Sequence, residues 1–367
     1  MNPAYRFEQE DSIPSPALIY YKDIIEENTR TAIRVASSAS RLWPHVKSHK
    51  SEGVIRLQTA LGITRYKCAT LTEAEAAART DAEHILLAYP LTGPNIQGFL
   101  RLCLAYPKKS FHALTDNLSQ LALLSGQSAD SGLVSSVFLD VNTGMNRTGI
   151  SFDEILPFAE QTKSLPGIRI CGLHIYDGDR HEKDYAEREE KVRFTVEKTL
   201  SVKKAFQKAG LPEPMLIMGG SPTFPCYARL MEDVFYSPGT VFIYDQGYQE
   251  QFPDLPYTPG AAVLTRVISH PAPGFFTLDA GYKAISAEQG IRGRLLNVPY
   301  ATEAFQSEEH WTFRMEPGHE SERPEVGSVQ YVIPWHICPT TALYDRIHVV
   351  EDGQLADTWP VSARHRF

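Results

Sequence analysis

Between residue 17 and about residue 245 the chain repeats one theme. A short apolar run rich in β-branched or aromatic residues is followed by a longer segment with helical period and charged faces. This is the rhythm of βα units: a parallel strand buried on both faces needs a covering helix before the next strand can be laid beside it. The runs fall at 17–21, 43–47, 65–70, 84–90, 110–115, 136–141, 168–175 and 215–219. Helices are expected between them, including 23–41, 71–80, 117–124 and 181–208, the last closing at Gly210. Eight alternations predict an α/β fold with a closed (β/α)8 TIM-type barrel rather than an open sheet, although the first run has an alternative place outside the barrel.

Beyond residue 250 the rhythm changes to close-set short runs at 261–270, 274–281, 311–315, 329–338, 346–354 and 358–366, with turn residues between them and no long helical period. This predicts an antiparallel β domain. The expected division is a barrel over residues 15–248 and a β domain over 249–367, with residues 1–14 packed on the latter. A chain of 367 residues has room for both.

Lys plus Arg number 36 against 44 Asp plus Glu, a net charge of −8, and no basic run stands out, so nucleic acid is excluded as a partner. No apolar stretch reaches the roughly 18 residues of a membrane span, and MNPAYRFEQEDSIPSP is not a secretory signal, so a cytoplasmic protein without a membrane partner is expected. Cys68, Cys103, Cys171, Cys226 and Cys338 are scattered and never form CxxC, which points to reduced thiols.

Six segments carry residues suited to chemistry. In RLWPHVKSHK, strand period places Lys47 and His49 on one face near a strand's carboxyl end, where barrel sites are built. A lysine there is either a solvated strand end or a Schiff-base lysine activated by the cationic neighbourhood of His45, His49 and Lys50. MGGSPTF, following an apolar run, is either an ordinary βα turn or an anion cradle, and SPGT at 237–240 is a second such turn. VFLDVNTGMNRTGI ends a strand with Asp140 and brings Arg147 after a glycine turn, while GLHIYDGDRH offers His174, Tyr176 and His181. In PWHICPT, a strand would project His336 and Cys338 to one side, as two ligands of a zinc-like ion or as packing residues. Asp279, Glu309 and His310 are available as further ligands or their partners.

Taken in order, PHVKSHK, CATLTEAE, LLAYP, DVNTGMNRTG, GLHIYDG, GGSPTF, SPGT and HICPT resemble the D-threonine aldolase and D-serine dehydratase branch of the alanine racemase-like, fold type III pyridoxal-phosphate enzymes. The resemblance implies a cofactor-binding barrel, a metal-binding C-terminal β domain, and a homodimer with active sites at the subunit interface. It makes Lys47 the Schiff-base lysine and sets Arg147, His174 and Tyr176 at the cofactor ring. Gly220, Ser221, Thr223, Gly239 and Thr240 become the phosphate grip, and His336 with Cys338 the divalent-metal pair. Two departures stand out. Relatives with aldolase activity often carry His-x-Asp at the metal pair, and the thiolate here favours zinc over manganese or magnesium. Several relatives read YDGH where this chain reads YDGD, so His181 is the stand-in base, beside Lys47 and Tyr176 as the other catalytic candidates.

The implied activity is that of a lyase on D-3-hydroxy amino acids. Retro-aldol cleavage to glycine and an aldehyde is favoured by overall motif likeness, and loss of ammonia to a 2-oxo acid, as in D-serine dehydratase, is the alternative. Racemisation needs bases on both faces of Cα and no metal, and the extra β domain argues against a non-catalytic cofactor carrier.

Overall fold

The computed structural model describes residues 5–366, so the expectation for the first four residues lies outside it. The chain forms two compact units. One consists of Arg30–Lys47, Val54–Gly239 and the chain from Ala363; the other of the chain up to Thr29, Ser48–Gly53 and Thr240–Ser362.

The first predicted strand, β1 (Ala17–Tyr21), is not a barrel strand; it pairs with strands of the second unit. The barrel sheet is wholly parallel and runs in chain order through β2 (Arg65–Cys68), β3 (His84–Pro90), β4 (Ser110–Thr115), β5 (Ser135–Asn142), β6 (Ile168–Tyr176), β7 (Met215–Met218) and β8 (Phe235–Tyr236). The last is two residues long, too short to register as a period. Closure comes from residues 42–45, where Leu42 bridges to Tyr236 and His45 to Lys67. Trp43 N–H donates to the Tyr236 carbonyl at 2.7 Å, and Lys67 N–H to the Pro44 carbonyl at 2.8 Å. Pro44 has no N–H to continue a ladder. The chain then turns into a 3-10 helix at Val46–Ser48, so Lys47 stands in a turn rather than on a strand. The shared face expected for Lys47 and His49 is therefore absent: Lys47 is half-buried, while His49 is fully buried and held neutral, burial pushing its pKa down to about 3.

Helices cover the sheet as the alternation requires. Helix Leu71–Ala78 begins where the TLTE spacing predicts: Thr70 Oγ1 accepts from Glu73 N–H at 3.1 Å, and Glu73 Oε2 from Ala69 N–H at 2.6 Å. Within the barrel, Trp43, Leu86, Leu114, Phe138 and Ile217 form one core cluster. Gly172 makes room for it, since a Cβ there would lie 2.3 Å from the Met215 carbonyl oxygen and 2.5 Å from the Phe138 ring. Gly172→Ala is expected to cost about 1–3 kcal/mol, read as a lower urea midpoint at unchanged slope.

The second unit holds a nine-stranded sheet: β1, β9 (Ala261–Ser269), β10 (Phe275–Leu278), β11 (Gly293–Leu295), β12 (Ala301–Gln306), β13 (Trp311–Met315), β14 (Val329–Pro334), β15 (Arg346–Glu351) and β16 (Gln354–Pro360). It is mixed rather than antiparallel, because β1 pairs parallel with β15 while pairing antiparallel with β9. Tyr5, Phe7 and Ile13 pack into its core with Ile19, Leu264 and Tyr331. The predicted run 329–338 breaks in two: the strand stops at Pro334, His336 caps a short helix, and Cys338 lies inside that helix, Ile337–Ala342. Pro339 in the first helical turn sacrifices an N–H that has no helical acceptor there. Among the described residues no helix is long and apolar enough to cross a membrane.

Candidate active site in the barrel and metal pair in the β domain

The carboxyl ends of the barrel strands gather positive charge around one aromatic ring. Tyr176, the last residue of β6, has Lys47 Nζ 5.8 Å from its ring centroid, Lys67 Nζ at 5.3 Å and the Arg147 guanidinium carbon at 4.7 Å. These basic groups converge on the ring's face and disfavour one another's charge, so the pocket suits a multiply charged anion that would offset it. The Lys47 amine makes no hydrogen bond or ion pair among the described residues, which leaves its nitrogen available. Gly178 of YDG is required beside the ring, since a Cβ there would fall 2.4 Å from it, and a Cβ on Gly220 would approach it to 3.0 Å.

Beneath Tyr176, His174 Nδ1 lies 2.8 Å from Asp140 Oδ1, both groups buried, and Asp140 Oδ2 accepts from Thr148 Oγ1 at 2.7 Å. Burial alone would raise the Asp140 carboxyl, but His174, Thr148 and Arg147 hold it below the usual carboxylate range. Burial lowers His174, as do Lys67 and Arg147, against the pull of Asp140, so the imidazole is neutral. Its Nδ1–H faces Asp140, and Nε2 accepts from Lys67 Nζ at 3.4 Å.

Lys67 is hidden in the sequence because it sits inside the apolar run RYKC. The available signal was its parity, since a lysine two positions from an inward barrel residue also points inward. Its amine is buried and donates to Ser237 Oγ at 2.7 Å, which in turn donates to the Gly219 carbonyl at 2.9 Å. Burial, then Lys47 and Arg147, push its pKa well below the usual lysine value. The unfolded chain takes up this proton below about pH 10.4 while the folded chain resists it, so folding is opposed in that window and the opposition fades as pH rises to 10. Cofactor-free Lys67→Met is therefore expected to melt above the wild type at pH 7, the gap narrowing by pH 10.

The two glycine turns are tied together: Gly239 N–H donates to Ser221 Oγ at 3.2 Å. The Thr223 hydroxyl is already engaged, accepting from Gly220 N–H at 3.0 Å and donating to Asp177 Oδ1 at 2.7 Å, so it braces the turn. Thr240 falls in the second unit, with Oγ1 3.5 Å from Cys338 Sγ. His181 is exposed in the coil after Tyr176, and no contact among the described residues links it to Lys47, His174 or Tyr176.

In the second unit His336 and Cys338 do come together, through the helix cap rather than a strand. Burial would lower His336, but its hydrogen bond to Cys338, the thiolate charge and Glu288 raise it to about 9. Burial would raise Cys338, but His336 brings it below the usual thiol value. Each partner thus favours the charged form of the other. Glu288 Oε1 bonds His336 Nδ1, Asp245 Oδ2 accepts from Ile337 N–H at 3.0 Å, and the Ser48 hydroxyl lies 3.4 Å from Cys338 Sγ. Burial lifts Asp245 to about 6. Asp279 is engaged elsewhere, accepting from Ser15, Thr265 and the Arg266 backbone, and Glu309 pairs with Lys283 at 3.2 Å. Neither joins the pair, and His310 makes no contact with it.

The barrel residues fit pyridoxal phosphate: a free lysine amine, two further basic side chains and two linked glycine turns are what an aldehyde bearing a phosphate needs. One imidazole and one thiolate fit a borderline-soft divalent ion as a two-ligand site. Among the described residues no cluster of three or more His, Cys, Asp or Glu side chains is arranged around a metal position.

Comparison with known proteins places these features. Residues 22–243 match the alanine racemase N-terminal domain, and residues 260–350 a serine dehydratase domain. The chain is 29% identical to the D-threonine aldolase of Arthrobacter sp., over 96% of this chain and 93% of that one. It is 24% identical to the D-threo-3-hydroxyaspartate dehydratase of Delftia sp. strain HT23, over 95% and 97%. The crystal structure of the D-threonine aldolase from Filomicrobium marinum superposes with a TM-score of 0.89 at 26% identity, covering 96% of each chain. With its parallel barrel, a free lysine at the mouth and a family match over most of the barrel, the chain belongs to the alanine racemase-like, fold type III family, in the branch whose second domain is of the serine dehydratase kind.

Proposed function

We propose that the chain is a pyridoxal-phosphate- and divalent-metal-dependent lyase of D-3-hydroxy amino acids that cleaves the Cα–Cβ bond to give glycine and an aldehyde. The observation that carries this reading is the free Lys47 amine beside Lys67 and Arg147 over the Tyr176 ring, on a chain similar along nearly its whole length to a D-threonine aldolase.

When bound, the cofactor supplies an electron sink for the bond that breaks at Cα. Lys47 tethers it through its amine. Arg147 holds positive charge beside Tyr176, Lys67 anchors the His174 ring, and His174, kept neutral by burial against the pull of Asp140, supports the ring without adding charge. Ser221 and Gly239, with Gly220, Thr223 and Thr240, form the phosphate grip, Thr223 as a brace. His336 and Cys338 would hold the ion, zinc by ligand softness, which supplies a Lewis acid for a hydroxyl oxygen. Cleavage needs a proton taken from the substrate hydroxyl, with His181 and Tyr176 as the candidate bases, and a proton delivered to Cα by Lys47. The working assignment is residues 15–248 for the cofactor and 249–367 for the metal, in a cytoplasmic homodimer with active sites at the subunit interface.

Incubation with D-threonine and with D-serine decides the reaction. Glycine and acetaldehyde from D-threonine are expected. Ammonia and a 2-oxo acid select the second reading, dehydration, which the Cys338 ligand and the similarity to the Delftia dehydratase favour. An inverted amino acid, or no turnover by cofactor- and zinc-loaded protein, overturns both.

A further inference from the structure

The amino ends of the barrel strands, opposite the candidate cofactor site, surround a cavity of about 480 Å3 that none of the candidate site residues lines. Three cations line it: Arg65 opens β2, Lys109 precedes β4 and Arg169 stands second in β6. No Asp or Glu lines it. Arg169 Nη2 donates to Ser136 Oγ at 3.3 Å, Lys109 Nζ to the Thr80 carbonyl at 2.7 Å, and the Arg65 guanidinium lies 5.3 Å from the Phe235 ring. None of the three has a carboxylate partner among the described residues. Charge of one sign inside a concave, weakly polarisable wall focuses a field that a bound anion relieves.

The wall also offers flat surfaces. His84 and His112 stack at 5.6 Å between centroids and 20° between planes, with His84 Nδ1 3.4 Å from His112 Nε2, and Trp43 meets His112 at 5.6 Å. The imidazoles are uncharged: burial, then His84 and the two arginines, push His112 down to about 3, and burial and Arg65 lower His84 against the pull of Glu83, which does not line the cavity. A volume of this size accommodates one ring-sized ligand.

We propose that this end of the barrel is a second ligand site, taking a flat aromatic anion whose ring packs against His84, His112 and Trp43 and whose acidic group pairs with Arg65 and Arg169. The proposal is independent of the lyase reading, since the two share no residue.

The test uses the full chain loaded with cofactor, so that the phosphate grip is filled, and the aromatic sulfonate 8-anilinonaphthalene-1-sulfonate as probe. One equivalent of the dye is expected to bind, shifting the imidazole carbon–proton NMR signals of His84 and His112. The Arg65→Gln/Arg169→Gln double variant should raise the dye's Kd at least tenfold, as loss of charge-assisted pairing requires. Should that variant fold poorly by circular dichroism, Ser110→Trp, which fills the cavity and keeps both arginines, tests the site through the same loss of binding. No binding, unmoved histidine signals at saturation, or unchanged affinity in the folded variants overturns the site.

Discussion

Lys47→Ala is expected to abolish the visible absorption band of the lysine-bound cofactor and to lower lyase activity by about three orders of magnitude or more, as removal of a covalent catalyst does. The argument rests on chemistry that the pocket does not duplicate. Two amines face Tyr176, Lys47 at 5.8 Å and Lys67 at 5.3 Å. Lys67 commits two donors, to Ser237 and to the His174 ring, and is fixed by burial, whereas Lys47 stands in a 3-10 turn with its amine unengaged. Borohydride reduction of the wild-type protein followed by peptide mapping should place the label on Lys47. A label on Lys67, or a yellow Lys47→Ala protein, moves the tether to the other amine.

Replacing Cys338 by alanine is expected to leave the protein folded and cofactor-loaded but to reduce its metal content from about one ion per chain to near zero, measured by atomic absorption after dialysis. A two-ligand site cannot lose its thiolate and still compete with water for a divalent ion. The same geometry sets a pH dependence with a defined sign. In the metal-free pair His336 favours the Cys338 thiolate, and His336 itself, raised to about 9, carries a proton that a metal must displace. Apparent zinc affinity should therefore fall at least about tenfold for each pH unit below 9, since at least the imidazolium proton must leave. The His336 contribution to the stability of the metal-free fold runs the opposite way: present in full below the unfolded pKa near 6.5, and lost as pH rises through about 9. Zinc titrations at pH 7, 8 and 9 check the first slope; a flat profile would remove the imidazolium from the account.

Much of the barrel was readable because parallel strands are buried on both faces and so announce themselves as apolar runs. Strands β3 and β4 fall where the runs predict, and the anion turns follow from glycine and hydroxyl placement. What escaped has specific causes. Strand β8 is two residues long and carries no period. The run at 329–338 looks continuous, yet Pro334 and Pro339 divide it, so His336 and Cys338 are presented by a helix cap. Thr223 reads as a free donor until Asp177 is seen beneath it.

The amino-acid sequence by itself determined the alternation that makes a barrel, the lysine available for a carbonyl group, the imidazole–thiol pair and the net acidic charge, because each of these is a property of local composition and spacing. Tertiary structure alone decided that β1 leaves the barrel for the second sheet, that Lys67 joins Lys47 and Arg147 around Tyr176, and that His174 is neutral. Those outcomes depend on pairing partners and buried charge separated by tens to hundreds of residues, and neither hydrogen-bond register nor desolvation is encoded in the neighbourhood of a single residue.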